Sequence, residues 1–258
     1  MKKFISLILS ALCVCYNANA TSIKQSFKVK IGLFDAATAD IAYTLSNDSY
    51  RFFSSIKTSG LFNKLYSFNA NYTTKGMIEQ EKLITQYYHQ TTKSSSHERE
   101  KELIFDKNGI LIKRISSKDS NKRKVKVTLP KTTIDTFDIQ SVLVMLIREY
   151  QQNESCELHK TVFNGKKLYN ITIKDNGRTL FKDKRIPISG EAHHCTAFIH
   201  QQNAEEGDLL WQVSSEKFIN FYLTKEKTTG LPYLLKMEIA STPLGKLEAY
   251  MTDLQIKE

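Results

Sequence analysis

The chain has 258 residues, a formal net charge of +10 and four cysteines. After residue 20 the longest apolar run is Val142 to Ile147, well short of the roughly 20 residues that a spanning helix needs, which excludes a helical membrane domain there. Length fits one large β domain or two small ones, and no Pro/Gly/Ser-rich linker divides the sequence, so a single domain over 21–258 is expected.

Met1-Lys2-Lys3 precedes an apolar run from Phe4 to Tyr16, followed by Asn17-Ala18-Asn19-Ala20. A basic start, a short apolar stretch and a small-x-small site form a secretory signal, with cleavage expected after Ala20. Cys13 and Cys15 do not suit lipidation, because Leu12 and Val14 stand before them. Cleavage takes away Lys2 and Lys3 and no acidic residue, leaving +8. Export to the periplasm makes nucleic acid an unsuitable partner for that charge and favours anionic lipid head groups or envelope surfaces.

Period-two alternation dominates the mature chain. Phe27, Val29, Ile31 and Leu33 alternate with Lys28, Lys30 and Gly32. Ala39, Ile41, Tyr43 and Leu45 repeat the pattern, and Tyr50, Phe52, Ser54 and Ile56 follow it more loosely. Such spacing puts the apolar set on one face of a strand. Asn108-Gly109, Asn164-Gly165 and Asn176-Gly177 each lie between β-rich segments and predict antiparallel hairpins, because Asn-Gly suits the type I′ turn. The expectation is a mainly β protein, a strongly curved antiparallel sheet with no alternating helices.

One helix is well signalled. Asp138 is a fitting N-cap, with Phe137 and Val142 as a hydrophobic staple. The body from Ser141 to about Gln151 is apolar nearly all round, so it is expected to be buried, capping the concave side of the sheet. A second, shorter helix is expected over Leu61 to Phe68, with Leu61, Phe62, Leu65 and Tyr66 on one face. The densest basic stretch, Lys118 to Lys126, reads as a solvated loop entering an edge strand.

Cys156 and Cys195 remain after cleavage, and in an exported chain they are most simply a disulfide. Closing a loop of about 40 residues would stabilise the fold by roughly 4 kcal/mol. Metal binding is the rival reading, with His159 at a Cys-x-x-His spacing and His193-His194 before Cys195. Neighbours in a strand point to opposite faces, which weighs against His194 and Cys195 sharing an ion, so no metal or cofactor is assigned. Free thiols are the third alternative.

Enzyme signatures are absent: there is no Gly-x-Ser-x-Gly elbow, His-Glu-x-x-His helix or phosphate-binding glycine loop. Catalytic residues are therefore not assigned. The aromatics are the other resource. Tyr43, Phe52, Tyr169, Trp211 and Phe221, with Leu143 and Leu146 of the predicted helix, are candidates to line an apolar ligand site inside the sheet, set against ordinary core filling.

Several segments taken in order resemble the bacterial family known as domain of unknown function 3108. They are Phe27 to Leu45, Gly60-Leu61, Tyr72-Thr73-Thr74-Lys75-Gly76 and Thr133 to Ser141, then Val162-Phe163-Asn164-Gly165-Lys166-Lys167-Leu168-Tyr169, Ile188-Ser189-Gly190 with Cys195, Leu231-Pro232-Tyr233 and Thr242-Pro243-Leu244-Gly245. Ile139 stands where the family usually has Pro, and Asn164 where it has Asp. The resemblance implies a periplasmic protein with an incompletely closed antiparallel barrel, similar in shape to carriers that shuttle lipoproteins. It implies no established activity. The leading expectation is a non-catalytic carrier or binder of an apolar or amphipathic envelope molecule. An assembly factor gripping envelope proteins through strand edges is the second expectation, and a hydrolase the third.

Overall fold

The structure is a computed structural model that describes residues 20–119, 121–125, 136–163, 168–202, 218–242 and 245–257. Its strands are β1 (Thr21–Ile31), β2 (Phe34–Leu45), β3 (Ser49–Thr58), β4 (Phe68–Glu79), β5 (Lys82–Ser94), β6 (Glu98–Phe105), β7 (Leu111–Lys118) and β8 (Asn121–Val125), then β9 (Thr136–Phe137), β10 (Leu158–Phe163), β11 (Leu168–Phe181), β12 (Gly190–Gln202), β13 (Ile219–Lys225), β14 (Pro232–Thr242) and β15 (Gly245–Lys257). The helices among the described residues are α1 (Gly60–Leu65) and α2 (Ile139–Asn153). Neither is long and apolar enough to cross a membrane.

All of these strands join one sheet in the order β8-β7-β6-β5-β4-β3-β2-β1-β15-β14-β13-β12-β11-β10-β9. Pairing is antiparallel throughout, except that the two-residue β9 runs parallel to β10. Alternation sets the inner face as expected: β1 buries Ile23, Gln25, Phe27 and Val29 and exposes Lys24 and Lys28. The first and last described strands meet in the middle of the sheet, where β1 pairs with β15.

No ladder joins β8 to β9 among the described residues, so the sheet curls without closing. Side chains bridge the gap instead. Phe163 of β10 packs in one cluster with Tyr88, Leu103, Phe105 and Leu111 of β5 to β7. Helix α2 fills the inside of the curl and touches β3, β4 and β5 on one limb and β10 and β14 on the other. Val142, Val144, Met145, Leu146 and Tyr150 are its buried apolar residues, which accounts for a sequence apolar on more than one side.

Several turns depart from the sequence reading. Asn176-Gly177 makes no hairpin: it is a bulge inside β11, where the pairing with β12 shifts between Asp175 and Arg178 and Gly177 takes φ +84°. The β-branched residues on both sides continue the same strand, and the glycine absorbs one extra residue. Leu33 does not extend β1. It sits beside Gly32 in the two-residue turn to β2 and is 90% exposed. The β4–β5 turn has Gln80 and Glu81 both at positive φ, a tight hairpin with no glycine to announce it. Asn108-Gly109 lies at a hairpin as expected, in the loop from β6 to β7, while Asn164-Gly165 falls outside the described residues. Helix α1 ends at Leu65 and lies against β2 with no residue fully buried; Phe62 is half-buried and Leu61 and Leu65 are exposed. The basic β8 does occupy the end of the sheet.

Candidate functional site at the helix–sheet seam

The N-terminus of α2 is fixed by a buried polar cluster. Asp138 is the N-cap, and its Oδ1 accepts from the backbone N–H of Gln140 (2.9 Å) and Ser141 (3.2 Å). Thr74 Oγ1 lies 2.8 Å from the same oxygen and 3.0 Å from Gln140 Oε1. Ser141 Oγ donates to Asp138 Oδ2, and Thr85 Oγ1 lies 2.8 Å from Ser141 Oγ. Tyr50 OH closes the cluster at 3.1 Å from both Ser141 and Thr85 hydroxyls. Burial pushes the Asp138 carboxyl up from the usual carboxylate range, opposed by the hydrogen bonds from Ser141 and Thr74. Burial, and then the nearby Asp138 charge, push Tyr50 up to about 12.

Gly76 makes room for the Tyr50 ring. A Cβ there would come 2.4 Å from both the ring and the Ile84 carbonyl oxygen. The Tyr72–Gly76 and Asp138–Ser141 segments, far apart in the chain, thus meet at one point, which explains why both stand out in the sequence.

The C-terminal end of α2 is held differently. Cys156 bonds to Cys195 of β12, with both residues fully buried. The backbone N–H of Cys156 donates to Asp175 Oδ2 at 3.1 Å. Glu154, the left-handed C-cap, pairs with Lys225 and Arg178. These pairs lower the Glu154 carboxyl, Lys225 foremost.

Between these anchors, the last turns of α2 leave a hollow of about 550 Å³ at the seam of the curl. Its floor is Leu83, Phe137, Met145 and Leu158, and its rim carries Glu81, Lys82, Arg148, Glu149, His159 and Lys160. β9 pairs only with Thr161 and Val162, so among the described residues Leu158, His159 and Lys160 carry no strand on their outer edge. The hollow is half open, and four apolar side chains are set among charged and polar ones; its volume falls within the range of about 300–1,000 Å³ usual for small-molecule sites.

The sequence-predicted lining residues lie mostly elsewhere. Tyr43, Phe52, Leu146, Tyr169 and Phe221 are buried in the packed core. Tyr43 and Phe52 stack on each other, and Tyr43 OH donates to the Pro232 carbonyl. Tyr43 also borders a smaller hollow of about 330 Å³ beside Lys24 and Arg51. Leu143 is 36% exposed on α2, and Trp211 lies outside the described residues. Met145, Phe137 and Leu158 were missed as lining. The available signal was Lys160, a cation in the inward register between Leu158 and Val162.

One family profile, with the description "Protein of unknown function (DUF3108)", matches residues 26–252. The chain belongs to this family. Its fold is shared beyond the family: the β-barrel-like protein of domain of unknown function DUF1849 from Brucella abortus superimposes with a TM-score of 0.53 at 10% identity, over 92% of this chain and 98% of that one. Among curated proteins none matches significantly. The family thus supplies a fold, an incompletely closed β-barrel-like sheet, and no activity.

Two further clusters carry residue types suited to chemistry. His193 Nδ1 lies 3.3 Å from Asp175 Oδ2, the geometry of a base with its orienting carboxylate. Its Nε2 accepts from Arg178 Nε at 3.2 Å, so the lone pair that would take a nucleophile's proton is already engaged. His89, Glu100 and Glu102 have ligand atoms within 4.8 Å of one another, half-buried across β5 and β6. His89 Nε2 is 2.9 Å from Glu100 and Tyr87 OH is 3.4 Å from Glu102, so the three groups sit in a cross-strand polar cluster.

Proposed function

We propose that the protein is exported to the periplasm and there binds or carries an apolar or amphipathic molecule of the cell envelope, without catalysing a reaction. The seam hollow carries this reading: it pairs an apolar floor with charged groups, next to a helix fixed at both ends. Export rests on the Met1 to Ala20 segment, with its basic start, apolar run and small-x-small site. Native mass spectrometry of protein purified from the envelope fraction tests the reading, alongside titration with the neutral apolar dye N-phenyl-1-naphthylamine. A co-purifying small amphiphile and saturable dye binding are expected. Ligand-free protein that binds no dye would overturn it. Recovery from the periplasm with Thr21 as N-terminus is the expected outcome for export, and retention in the cytoplasm with Met1 intact would contradict it.

The outer edge of Leu158 to Lys160 favours one second reading, an assembly factor that takes an extended segment of an envelope protein onto β10. Crosslinking in cells separates the two: this second reading expects one dominant protein partner at β10, whereas the carrier reading expects none.

A further inference from the structure

Lys160 is out of place for a core-facing position. Its cross-strand partner is Ile171, which is 4% exposed and part of the core, so both side chains belong to the inner face of the sheet. The flanking inner positions on β10 are Leu158 and Val162. Yet Lys160 is only half-buried, lines the seam hollow, and has no hydrogen-bond or ion-pair partner among the described residues. A charge facing an apolar interior is costly unless something answers it. Arg148 lines the same hollow from α2 and is anchored there, its Nη1 donating to the Glu81 carbonyl at 2.9 Å. That bond uses one arm of the guanidinium and leaves further N–H donors for a ligand.

The hollow also holds two carboxylates. Glu149 is engaged by Asn153 Nδ2 at 2.7 Å along the helix, and Glu81 sits on the exposed β4–β5 turn. Against them stand Lys82, Arg148 and Lys160, so cations outnumber acids around the cavity. The floor of Leu83, Phe137, Met145 and Leu158 lies beneath these cations.

We propose that the seam hollow binds a single-chain anionic amphiphile, its carboxylate or phosphate-monoester head paired with Lys160 and Arg148 and its one acyl chain on the Leu83–Phe137–Met145–Leu158 floor. The proposal rests on the carrier reading above and narrows it. Volume sets the chain number. A methylene takes up about as much room as a water molecule, roughly 30 Å³. One chain of about sixteen carbons therefore fills roughly 480 Å³, and two chains need about twice that. The hollow of about 550 Å³ is close to the volume of one such chain, with the head at its open rim beside Lys160 and Arg148.

The test compares four probes on the intact mature protein: lysophosphatidate (one chain, phosphate monoester), phosphatidate (two chains, same head), monoacylglycerol (one chain, neutral) and inorganic phosphate. Lysophosphatidate is expected to bind most tightly, monoacylglycerol at least tenfold more weakly, and inorganic phosphate not measurably. Lys160→Met, which keeps the aliphatic stem, is expected to weaken lysophosphatidate by roughly tenfold to a hundredfold, the worth of a charge-assisted bond, and to leave monoacylglycerol unchanged. Arg148→Met gives the same pattern if Lys160→Met fails to fold, and Lys28→Met, on the exposed side of β1, should change neither ligand. Equal affinity for lysophosphatidate and monoacylglycerol, untouched by either variant, would overturn the anionic head while leaving the carrier reading intact. Phosphatidate binding as tightly as lysophosphatidate would overturn the single chain, and phosphate alone binding as tightly would overturn the need for any chain. Failure of every probe, with protein from the envelope also ligand-free, would remove the carrier reading itself.

Discussion

The N-terminal end of α2 is held by uncharged donors converging on one buried carboxylate, whereas its C-terminal end is held by a covalent bond and by ion pairs near the surface. The first anchor joins the helix to β3, β4 and β5, and the second joins it to β12 and β13. The sheet does not close on itself, so these two sets of contacts do part of the work that a last ladder does in a closed barrel. They also respond to different conditions. A hydrogen-bonded cluster in the interior is little affected by salt or reductant and depends on protonation. A disulfide depends on redox poise, and exposed pairs are weakened by salt.

The largest expected effect is at the C-terminal end. Replacing both Cys156 and Cys195 by Ala should lower stability in urea by about 4 kcal/mol, from the loop of 39 residues that the bond closes. Alkylation before reduction should find both thiols protected, and free thiols would break the comparison at once. Asp138→Ala should cost about 3 kcal/mol, since it removes a cap worth about 1 kcal/mol and takes from the buried Thr74 and Ser141 hydroxyls the carboxylate they share, leaving them only their neutral partners Gln140, Thr85 and Tyr50. A loss no larger than that of an ordinary exposed cap would show the cluster to be dispensable. Gly76→Ala should cost about 2 kcal/mol by forcing the Tyr50 ring off its neighbours, read as a lower urea midpoint with an unchanged slope.

Acidity distinguishes the N-terminal cluster from carboxylates elsewhere on the sheet. Asp138 has a raised carboxyl in the folded state, so the native protein holds that proton more tightly than the unfolded chain does. Its contribution is full below the usual carboxylate range and is lost as pH rises through the raised value. Asp183 and Glu248, held down to about 2, Asp183 chiefly by its hydrogen bond with Arg185, run the other way, losing their contribution as pH falls toward that value. Asp138→Asn removes only the first effect. The stability advantage of the native protein over Asp138→Asn should therefore shrink as pH rises from about 4, measured by urea midpoints at each pH. An advantage that grows with pH would reverse the sign assigned to this carboxyl. The smallest effect is expected from Glu154→Gln: its pairs with Lys225 and Arg178 lie at an exposed cap, and thermal melts should not separate the variant from the native protein.

Much of this architecture was legible because it rests on local signals. Alternation in Phe27 to Ile31 and Ala39 to Leu45 reports a one-sided sheet, and Asp138 with Ser141 announces a capped helix. The turn at Gln80-Glu81 was not legible, since neither residue type marks a left-handed backbone, and it sets the rim of the hollow. Asn176-Gly177 misled for the opposite reason: positive φ serves a bulge as well as a hairpin. The expected lining pairs strand aromatics with Leu143 and Leu146 of the helix, and side chains such as Phe52, Tyr169 and Leu146 are what a tightly packed interior also selects. The hollow is made by a gap between limbs distant in sequence, β5 and β10, and no local pattern records a gap. Lys160 carried the one local clue, a charge where alternation calls for an apolar side chain.

The most direct test of the seam as the ligand site is methyl NMR of protein labelled at methionine and titrated with laurate. Met145 lines the hollow, while Met77, Met237 and Met251 do not. The Met145 methyl resonance should shift saturably with the other three unmoved. A ligand that shifts Met237 or Met251 and leaves Met145 in place would put the site elsewhere in the interior of the curl and contradict the account.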